Sequence, residues 1–366
     1  MVATTHPMAA LWIGLTLLVA CGTPPTLARI IADLDGDGSY STTDVALPTL
    51  RDWGALEGDA VLFHTGATLD LDAVVNEDDG RSRDRAIRNP GTPHMRYLRD
   101  GEVAVADSFL GLSMVSGYAH FEAAVMFFAG LGVVLTGEPA PVYFHPQIEG
   151  PADLFPRTDN AVYLPATDAF FLMPMEFLQA MPFATNRGVI VHEVTHRVWY
   201  KIAWDGRMLA LRQAIDTHAA TVAWVLLRAT EEGVADFFGA VAADNPRFLV
   251  PSAGTDLGDP RDLQPVRSVE AGWLTGNMVS PYDLGAVVAS TLWGFAAISG
   301  RDATCRALLA AGVAQAAGLG DLPSYSVGEL EAATIAGLPP ADRAALCARA
   351  AASYAASWLP FQGLCP

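Results

Sequence analysis

Basic side chains are scarce in this sequence. Its 366 residues include 22 Lys and Arg against 40 Asp and Glu, which gives a formal net charge of −18. Nucleic-acid phosphates are bound by clustered Lys and Arg, so this composition argues against a nucleic-acid-binding protein. Charged residues of either sign make up only 17% and hydrophobic residues 51%. We therefore expect a globular protein with a large buried core, arranged as two lobes around a cleft.

Cysteine is equally rare. Apart from Cys21, the sequence contains only Cys305, Cys347 and Cys365, and their spacing matches neither a zinc ribbon nor a redox Cys-x-x-Cys motif. In an exported protein these three residues favour one disulfide and one unpaired thiol. The sequence leaves the pairing open.

The N-terminus lacks a hydrophobic run long enough to span a bilayer, since Leu11 to Ala20 is too short. The run ends in Leu-Val-Ala-Cys21, which resembles the lipobox of bacterial lipoproteins. This resemblance implies a signal peptide over residues 1–20, a lipid on Cys21, and a tether over residues 21–32 at a membrane of the cell envelope. No Lys or Arg precedes the run, so an ordinary secretory signal or a buried helix is the alternative.

Residues 33–44 have the spacing of a calcium-binding loop. Oxygen-bearing side chains stand at positions 1, 3, 5, 7 and 12, and glycine stands at position 6. Ca²⁺ takes six to eight oxygen ligands, and glycine permits the sharp turn that brings them together. The loop resembles those of EF-hands and dockerins, although a single copy does not predict cohesin binding. A solvated acidic turn is the alternative. The candidate calcium ligands are Asp33, Asp35, Asp37, Ser39 and Asp44.

Hydrophobic patterning predicts several elements before the central motif. We expect a hairpin over 59–75 with its turn at Thr65-Gly66, a buried helix over 116–134, and a strand over 141–145. A second hairpin over 159–174 lies directly upstream of the central motif, where it can form a cleft wall with an edge open to a substrate backbone. His120 and Glu122 are interpreted as core or cleft-lining groups, and the Ala-rich C-terminal third as helical.

The central motif is His192-Glu193-Val-Thr-His196, the H-E-x-x-H pattern of zinc peptidases. On a helix the two histidines are about 40° apart and one turn along, so their imidazoles can hold one Zn²⁺. Glu193 lies on the flank from which a carboxylate can act as general base on a water at the metal. The surrounding residues, 188–200, are apolar as in a buried helix, where such polar groups are costly unless satisfied. A chance occurrence of the pentapeptide is the alternative.

A catalytic zinc requires a third protein ligand and leaves the fourth position for water. The segment 214–248 has helical spacing and contains Glu231-Glu-Gly-Val-Ala-Asp236. Glu232 and Asp236 are four residues apart and face the same way, so Glu232 can bind zinc while Asp236 accepts the outer N–H of a ligating histidine. Glu231 has no such partner four residues on. His218 is the rival third ligand, and a solvated acidic helix start is the alternative.

His192-Glu193-x-x-His196 with Glu232-x-x-x-Asp236 resembles the gluzincins, specifically the thermolysin-like and fungalysin-like metallopeptidases. The resemblance implies zinc bound by His192, His196 and Glu232, with Glu193 as general base and Asp236 oriented on His192.

The resemblance covers roughly residues 115–300 and implies an α+β fold of the thermolysin-like, two-lobed zincin type. A mixed α/β lobe is expected over 45–187 and a mainly helical lobe over 188–366, with zinc between them. A longer spacer between the motifs, around 204–218, is expected to shape the pocket or to act as a lid.

Three further residue matches come from the same resemblance. Asn160-Ala161 is similar to the edge strand on which these enzymes anchor the substrate backbone. Tyr282 begins a Tyr-x-x-Gly-x-Val-x-Ala run where fungalysin-like members have His, and its hydroxyl would then stabilise the oxyanion. Arg261 matches the arginine that contacts the substrate carbonyl, and a surface arginine is the alternative.

The expected function is that of a zinc-dependent endopeptidase on peptide or protein substrates, anchored to the cell envelope through Cys21 or secreted. One alternative is a gluzincin-like binding lipoprotein whose catalysis is weak or lost. Another is a calcium-dependent surface adhesion protein, which rests on residues 33–44 alone.

Overall fold

The structure is a computed structural model. It describes residues 26–33, 39–71, 86–135, 137–150, 157–176, 181–204, 221–258, 261–274, 280–316 and 326–365. Several predicted features lie outside these residues: the signal peptide, Cys21, Asp35, Asp37, His218 and nearly all of the 204–218 spacer.

The strands occupy the first half of the chain. In chain order they are β1 (Leu27–Asp33), β2 (Tyr40–Ala46), β3 (Leu50–Asp52), β4 (Glu57–Gly58), β5 (Val61–Thr65), β6 (Thr68–Asp70), β7 (Ile87–Arg88), β8 (Tyr97–Asp100), β9 (Val103–Ala106), β10 (Ala140–Phe144), β11 (Gln147–Glu149), β12 (Ala161–Leu164) and β13 (Ala169–Leu172).

Most of the helices follow the strands. They are α1 (Phe109–Gly130), α2 (Arg187–Ile202), α3 (Thr221–Ala243), α4 (Val250–Gly258), α5 (Pro281–Ser299), α6 (Arg301–Ala316), α7 (Glu329–Gly337) and α8 (Arg343–Tyr354). Across the described ranges the fold is mixed α/β, with strands and helices largely segregated along the chain, which is compatible with the predicted α+β class.

A four-stranded sheet in the order β2-β1-β9-β8 begins the fold. Residues 27–32 form most of β1, whose middle and end are buried, so the prediction that the tether extends to residue 32 is wrong. Burial of alternating apolar side chains such as Ile30 against α1 makes this segment part of the core rather than a linker.

The β1–β2 hairpin also corrects the proposed calcium loop at its last position. Asp44 pairs with Arg29, four residues before Asp33 on the opposite strand, so the two positions are about 13 Å apart along the strand direction. Both oxygens of Asp44 accept hydrogen bonds from Arg29, at 2.8 and 3.0 Å. Asp44 is therefore not a loop ligand, because the strand pairing holds it beside Arg29 and away from Asp33. Asp33 and Ser39 flank residues 34–38, which lie outside the described residues, and both stay predicted ligands.

The second sheet carries the wall of the site. Its order is β12-β13-β10-β5-β4-β3, with β10 parallel to β5 and β13, and with β12 antiparallel to β13 at one edge. The strand predicted over 141–145 and the hairpin predicted over 159–174 are thereby confirmed. The hairpin predicted over 59–75 is wrong, because β5 and β6 do not pair with each other. After a turn at Gly66, where φ is 67°, β6 joins a third sheet in the order β11-β6-β7.

Helix α1 lies between the first two sheets and α2, and confirms the buried helix predicted there. Ser108 caps it by accepting the N–H of Gly111 at 3.1 Å. His120 donates from Nε2 to the Ile31 carbonyl at 3.0 Å, and burial lowers its pKa to about 4, so the ring is neutral. Glu122 accepts the backbone N–H of Thr49 at 2.6 Å. Both side chains are core groups, as predicted.

Helix α3 contacts both α2 and α5, and α5 in turn contacts α6, α7 and α8. A Cβ atom on Gly233 would lie 2.5 Å from the Gly285 carbonyl oxygen, so a side chain is excluded where α3 crosses α5. Cys347 and Cys365 form a disulfide and Cys305 is a buried free thiol, which confirms the prediction of one disulfide and one unpaired cysteine.

Helices α1 and α5 are long and apolar enough to span a membrane by length and composition. Most of each apolar segment is buried within the protein, and buried core helices meet the same criteria. The two helices are therefore weak support for membrane insertion.

The buried carboxyl of Glu331 gives the protein a specific dependence of stability on pH. Tyr354 donates its hydroxyl to Glu331, and burial raises the pKa of Glu331 from 4.5 to about 6. Folding thus favours the protonated form, and the stability associated with it is lost as the pH rises through 6. As the pH is raised from 4 to 8, we expect the unfolding free energy of the wild type to fall by about 2 kcal/mol relative to that of Glu331→Gln. Urea denaturation at both pH values measures this gain, and parallel pH profiles of the two proteins would contradict it.

Candidate metal centre

Helix α2 holds the central motif in a fixed, buried position. Asn186 caps the helix by accepting the N–H of Val189 at 3.2 Å, while its own amide donates to Phe248 O at 2.7 Å. The apolar residues that flank the motif are buried, in agreement with the predicted helix. His192, Glu193 and His196 are all less than 10% exposed.

Helix α3 brings the downstream carboxylates to α2. It covers Glu231, Glu232 and Asp236, and the helix predicted within 214–248 is confirmed over Thr221–Ala243. The two helices touch backbone to backbone, since a Cβ on Gly239 would lie 2.7 Å from the carbonyl oxygen of Gly188. Short glycine contacts therefore let the side chains of one helix reach those of the other.

Three side chains converge as a metal-binding set: His192, His196 and Glu232. The Nε2 atoms of the two histidines are 3.1 Å apart, and Glu232 Oε2 lies 3.5 Å from His192 Nε2 and 3.8 Å from His196 Nε2. Four-coordinate zinc with bonds of about 2.1 Å spaces its ligand atoms about 3.4 Å apart. The three donors therefore fit one metal ion, as the sequence predicted for these residues.

Each histidine is oriented by its own carboxylate. Asp236 Oδ1 lies 3.0 Å from His192 Nδ1, the arrangement predicted for that pair. His196 Nδ1 donates to Glu231 Oε1 at 2.9 Å. With both Nδ1 atoms bonded outward, both Nε2 atoms face the common position as acceptors. Glu231 has no partner four residues on, as the sequence indicated, and instead pairs with a histidine on the other helix.

Two arginines neutralise part of this carboxylate cluster. Arg228 pairs with Glu231 and donates to Glu232 Oε1 at 2.9 Å from the preceding turn of α3. Arg261 donates from Nε to Asp236 Oδ2 at 2.9 Å. Arg261 is mostly buried, so the alternative of a surface arginine is wrong, whereas its predicted contact with substrate stays a prediction. Arg228 was not identified from the sequence, although its spacing of three and four residues from the two glutamates is a recognisable signal.

The charge balance of the site favours a divalent cation. Four buried carboxylates (Glu193, Glu231, Glu232 and Asp236) face two guanidinium groups, which leaves two negative charges when the histidines are neutral. Buried charge without compensation is strongly unfavourable. A divalent ion at the three converging donors would balance the cluster.

The excess of buried negative charge also shifts the pKa values of the cluster. Burial alone would lower the pKa of His192, but its bonds to Asp236 and Glu232 and the negative charges around it outweigh burial and raise the pKa to about 9. Burial would raise the pKa of Glu232, yet the histidines and Arg228 hold it well below its usual range. The field of the site therefore attracts positive charge, whether a proton or a metal ion, and metal binding would release that proton.

Glu193 lies beside the three donors and differs from the other carboxylates. Its Oε2 accepts the backbone N–H of Tyr163, in the edge strand β12, at 2.7 Å. Burial raises its pKa, as is required of a carboxylate that takes up a proton. The side chain thus joins α2 to the hairpin predicted to form the cleft wall.

The site opens into a cavity of about 120 Å³ between β12 and the two helices. Asn160 and Ala161 line it, as the predicted edge strand requires, and so do Arg261 and Tyr282. Tyr282 lies in the first turn of α5 with 51% of its surface exposed, and its ring lies 5.1 Å from the Arg261 guanidinium carbon. The predicted binding and catalytic residues therefore share one cavity with the metal-binding set.

Comparison with known families and characterised proteins adds nothing to this geometry, since the chain matches no family model and no curated protein.

The carboxylates behind the histidines provide a test of the centre. We expect Asp236→Asn and Glu231→Gln each to weaken Zn²⁺ or Co²⁺ binding by about 10–100-fold, because each loosens the orientation of one imidazole. Competition with a chromophoric chelator measures the affinity. Glu122→Gln is the matched control, since it changes a buried carboxylate that contacts Thr49 instead of the site. Wild-type affinity in both of the first two variants would show that neither carboxylate supports a metal ligand.

Proposed function

We propose that this chain is a zinc-dependent endopeptidase of the gluzincin type, with a thermolysin-like arrangement of two lobes. The observation that carries the proposal is the set of three converging donors with a buried carboxylate, Glu193, directly beside them. A metal site that only stabilises the fold has no use for such a base, because structural zinc sites are closed by four protein ligands.

The residues fit zinc by their chemistry. Two neutral imidazoles and one carboxylate are a ligand set of catalytic zinc, and they leave a position for water or substrate. His192, His196 and Glu232 would hold the ion, which when bound would polarise the scissile carbonyl and lower the pKa of water.

Glu193 supplies the proton transfers of the proposed reaction. Its carboxylate takes a proton from the attacking water and delivers it to the nitrogen of the departing amine. Burial favours this role because it raises the pKa of Glu193 and so makes the carboxylate a stronger base. Positioned general bases contribute about 10²–10⁴ to the rate.

Tyr282 and Arg261 are the proposed donors to the negative charge that develops on the substrate carbonyl oxygen. Both line the cavity beside the metal-binding set, and both carry hydrogen-bond donors. Donors of this kind that are fixed before the reaction stabilise the developing oxyanion by a few kcal/mol.

The edge strand β12 offers the proposed substrate backbone groups with which to pair. Side chains and backbone groups alternate along a strand, and the N–H of Tyr163 points away from β13 toward Glu193. Two residues earlier, Ala161 presents its N–H and C=O on the same side. We infer that an extended peptide pairs with Ala161, with Asn160 beside it, by strand addition.

We also propose an extracytoplasmic location, with Cys21 as the lipid attachment point. The disulfide between Cys347 and Cys365 supports this location, because disulfides persist in oxidising compartments.

The mechanism predicts different outcomes for the base and the ligands. Glu193→Gln is expected to bind Zn²⁺ as the wild type does but to lose at least about 10²-fold in kcat, because the base is removed and the ligands remain. His192→Ala is expected to lose both metal and turnover. Cleavage of an unstructured protein substrate, with metal content measured on the same samples, provides the two readouts.

Glu122→Gln is the control for replacing a buried glutamate, and it should hydrolyse the substrate at the wild-type rate. Chelator should stop hydrolysis and added Zn²⁺ should restore it. Undiminished hydrolysis by Glu193→Gln would refute the assignment of the base.

A further inference from the structure

A single carboxylate joins the tip of the β12–β13 hairpin to α2. Asp168 follows the short turn Pro165–Thr167 and has φ of 45° and ψ of 49°. This left-handed conformation is uncommon outside glycine but is tolerated by Asp. The turn brings the Asp168 side chain toward α2, where several donors meet it.

Three side chains donate to Asp168. Arg197 donates from Nε at 2.8 Å and from Nη2 at 3.2 Å, and the Nζ of Lys201 lies 3.0 Å away. The hydroxyl of Tyr163 donates at 2.9 Å. Arg197 is only 6% exposed, so loss of Asp168 would leave a buried guanidinium group without its carboxylate, which is strongly unfavourable. We call Asp168 with Arg197, Lys201 and Tyr163 the hairpin latch.

The latch and the candidate base lie on one stripe of α2. Glu193, Arg197 and Lys201 are spaced by four residues, so they project from the same face of the helix. Arg197 and Lys201 bind the tip of the hairpin, and Glu193 binds the hairpin strand at Tyr163 N. Tyr163 takes part at both points, since its hydroxyl contacts Asp168 while its backbone N–H contacts Glu193.

We propose that Asp168 is a positioning residue that holds β12 at a fixed position relative to α2. β12 is the outer strand of its sheet, so its cleft side is held by contacts with α2 and not by another strand of the described sheet. A substrate backbone paired with Ala161 then lies at a fixed distance from Glu193. Displacement of reacting groups by about 1 Å costs about 10²-fold in rate, which is the reason such a support matters.

The proposal rests on the proposed peptidase function and makes a further statement about substrate length. A peptide long enough to pair along β12 depends on the register of that strand. A short blocked dipeptide is bound mainly at the metal-binding set. Weakening the latch should therefore impair long substrates more than short ones.

Tyr163→Phe is the mildest test, because it removes one hydroxyl from the latch and leaves the charged groups paired. Tyr97→Phe is the matched control, since Tyr97 donates its hydroxyl to Trp53 O at 3.0 Å in another part of the fold. Both variants should show similar small losses in Tm. We expect kcat/KM for a hexapeptide to fall about tenfold in Tyr163→Phe, with a smaller loss for an N-acyl dipeptide amide and no loss in Tyr97→Phe.

Amide hydrogen exchange tests the latch without any need for turnover. In Tyr163→Phe, exchange over residues 161–172 should accelerate while exchange in β8 and β9 does not change. Asp168→Asn should accelerate it further, and Tyr163→Phe keeps the test valid if Asp168→Asn fails to fold because Arg197 is left buried and unpaired.

The outcomes separate the two proposals. Faster exchange in the hairpin with a selective loss for the hexapeptide supports the latch. Unchanged exchange in Tyr163→Phe, or equal losses for long and short substrates, would overturn it even if the wild type is an active peptidase. A wild type that binds no metal and cleaves nothing counts against the peptidase function, whereas exchange still decides whether the latch exists.

Discussion

Charge buried between two helices determines the architecture of this protein. The imidazoles on α2 and the carboxylates on α3 can only satisfy one another if the helix backbones come close, and the contact of Gly239 with the Gly188 carbonyl makes that possible. Part of the negative charge is then neutralised by Arg228 and Arg261, which bind Glu231 and Asp236, the carboxylates behind the two histidines. Packing and electrostatics are therefore one constraint here: a side chain at residue 239 would push the helices apart and leave charges without partners.

The parts of this site that the sequence predicted are those governed by spacing within one helix. A separation of four residues places His192 with His196, and Glu232 with Asp236, on common faces whatever the rest of the chain does. The pairing of His196 with Glu231 cannot be predicted from spacing within one helix, because the two residues are 35 positions apart and lie on different helices. The rotation of one helix against the other decides it, and that depends on packing.

The strand region shows the same limit. Alternating hydrophobicity identified segments such as β5 and β6 as extended, but it carries no information on which strand pairs with which, so two consecutive strands could enter different sheets. The spacing of oxygen-bearing side chains in residues 33–44 likewise predicts a calcium-binding loop only if these residues are not paired in a β-sheet. At Asp44 the pairing with Arg29 prevails. The local sequence pattern thus predicts whether a segment is extended better than it predicts which segments pair with it.

The open side of β12 bears on how molecules of this protein behave toward one another. Unpaired strand edges are sites at which proteins join sheet to sheet and precipitate, and natural folds obstruct them. Here the edge lines a narrow cavity with helices opposite, and Glu193 already occupies the N–H of Tyr163. In the proposed function a single extended peptide enters that space, whereas the edge of a second folded sheet would meet the helices first. The helices opposite this strand therefore obstruct its pairing with the edge of a second molecule.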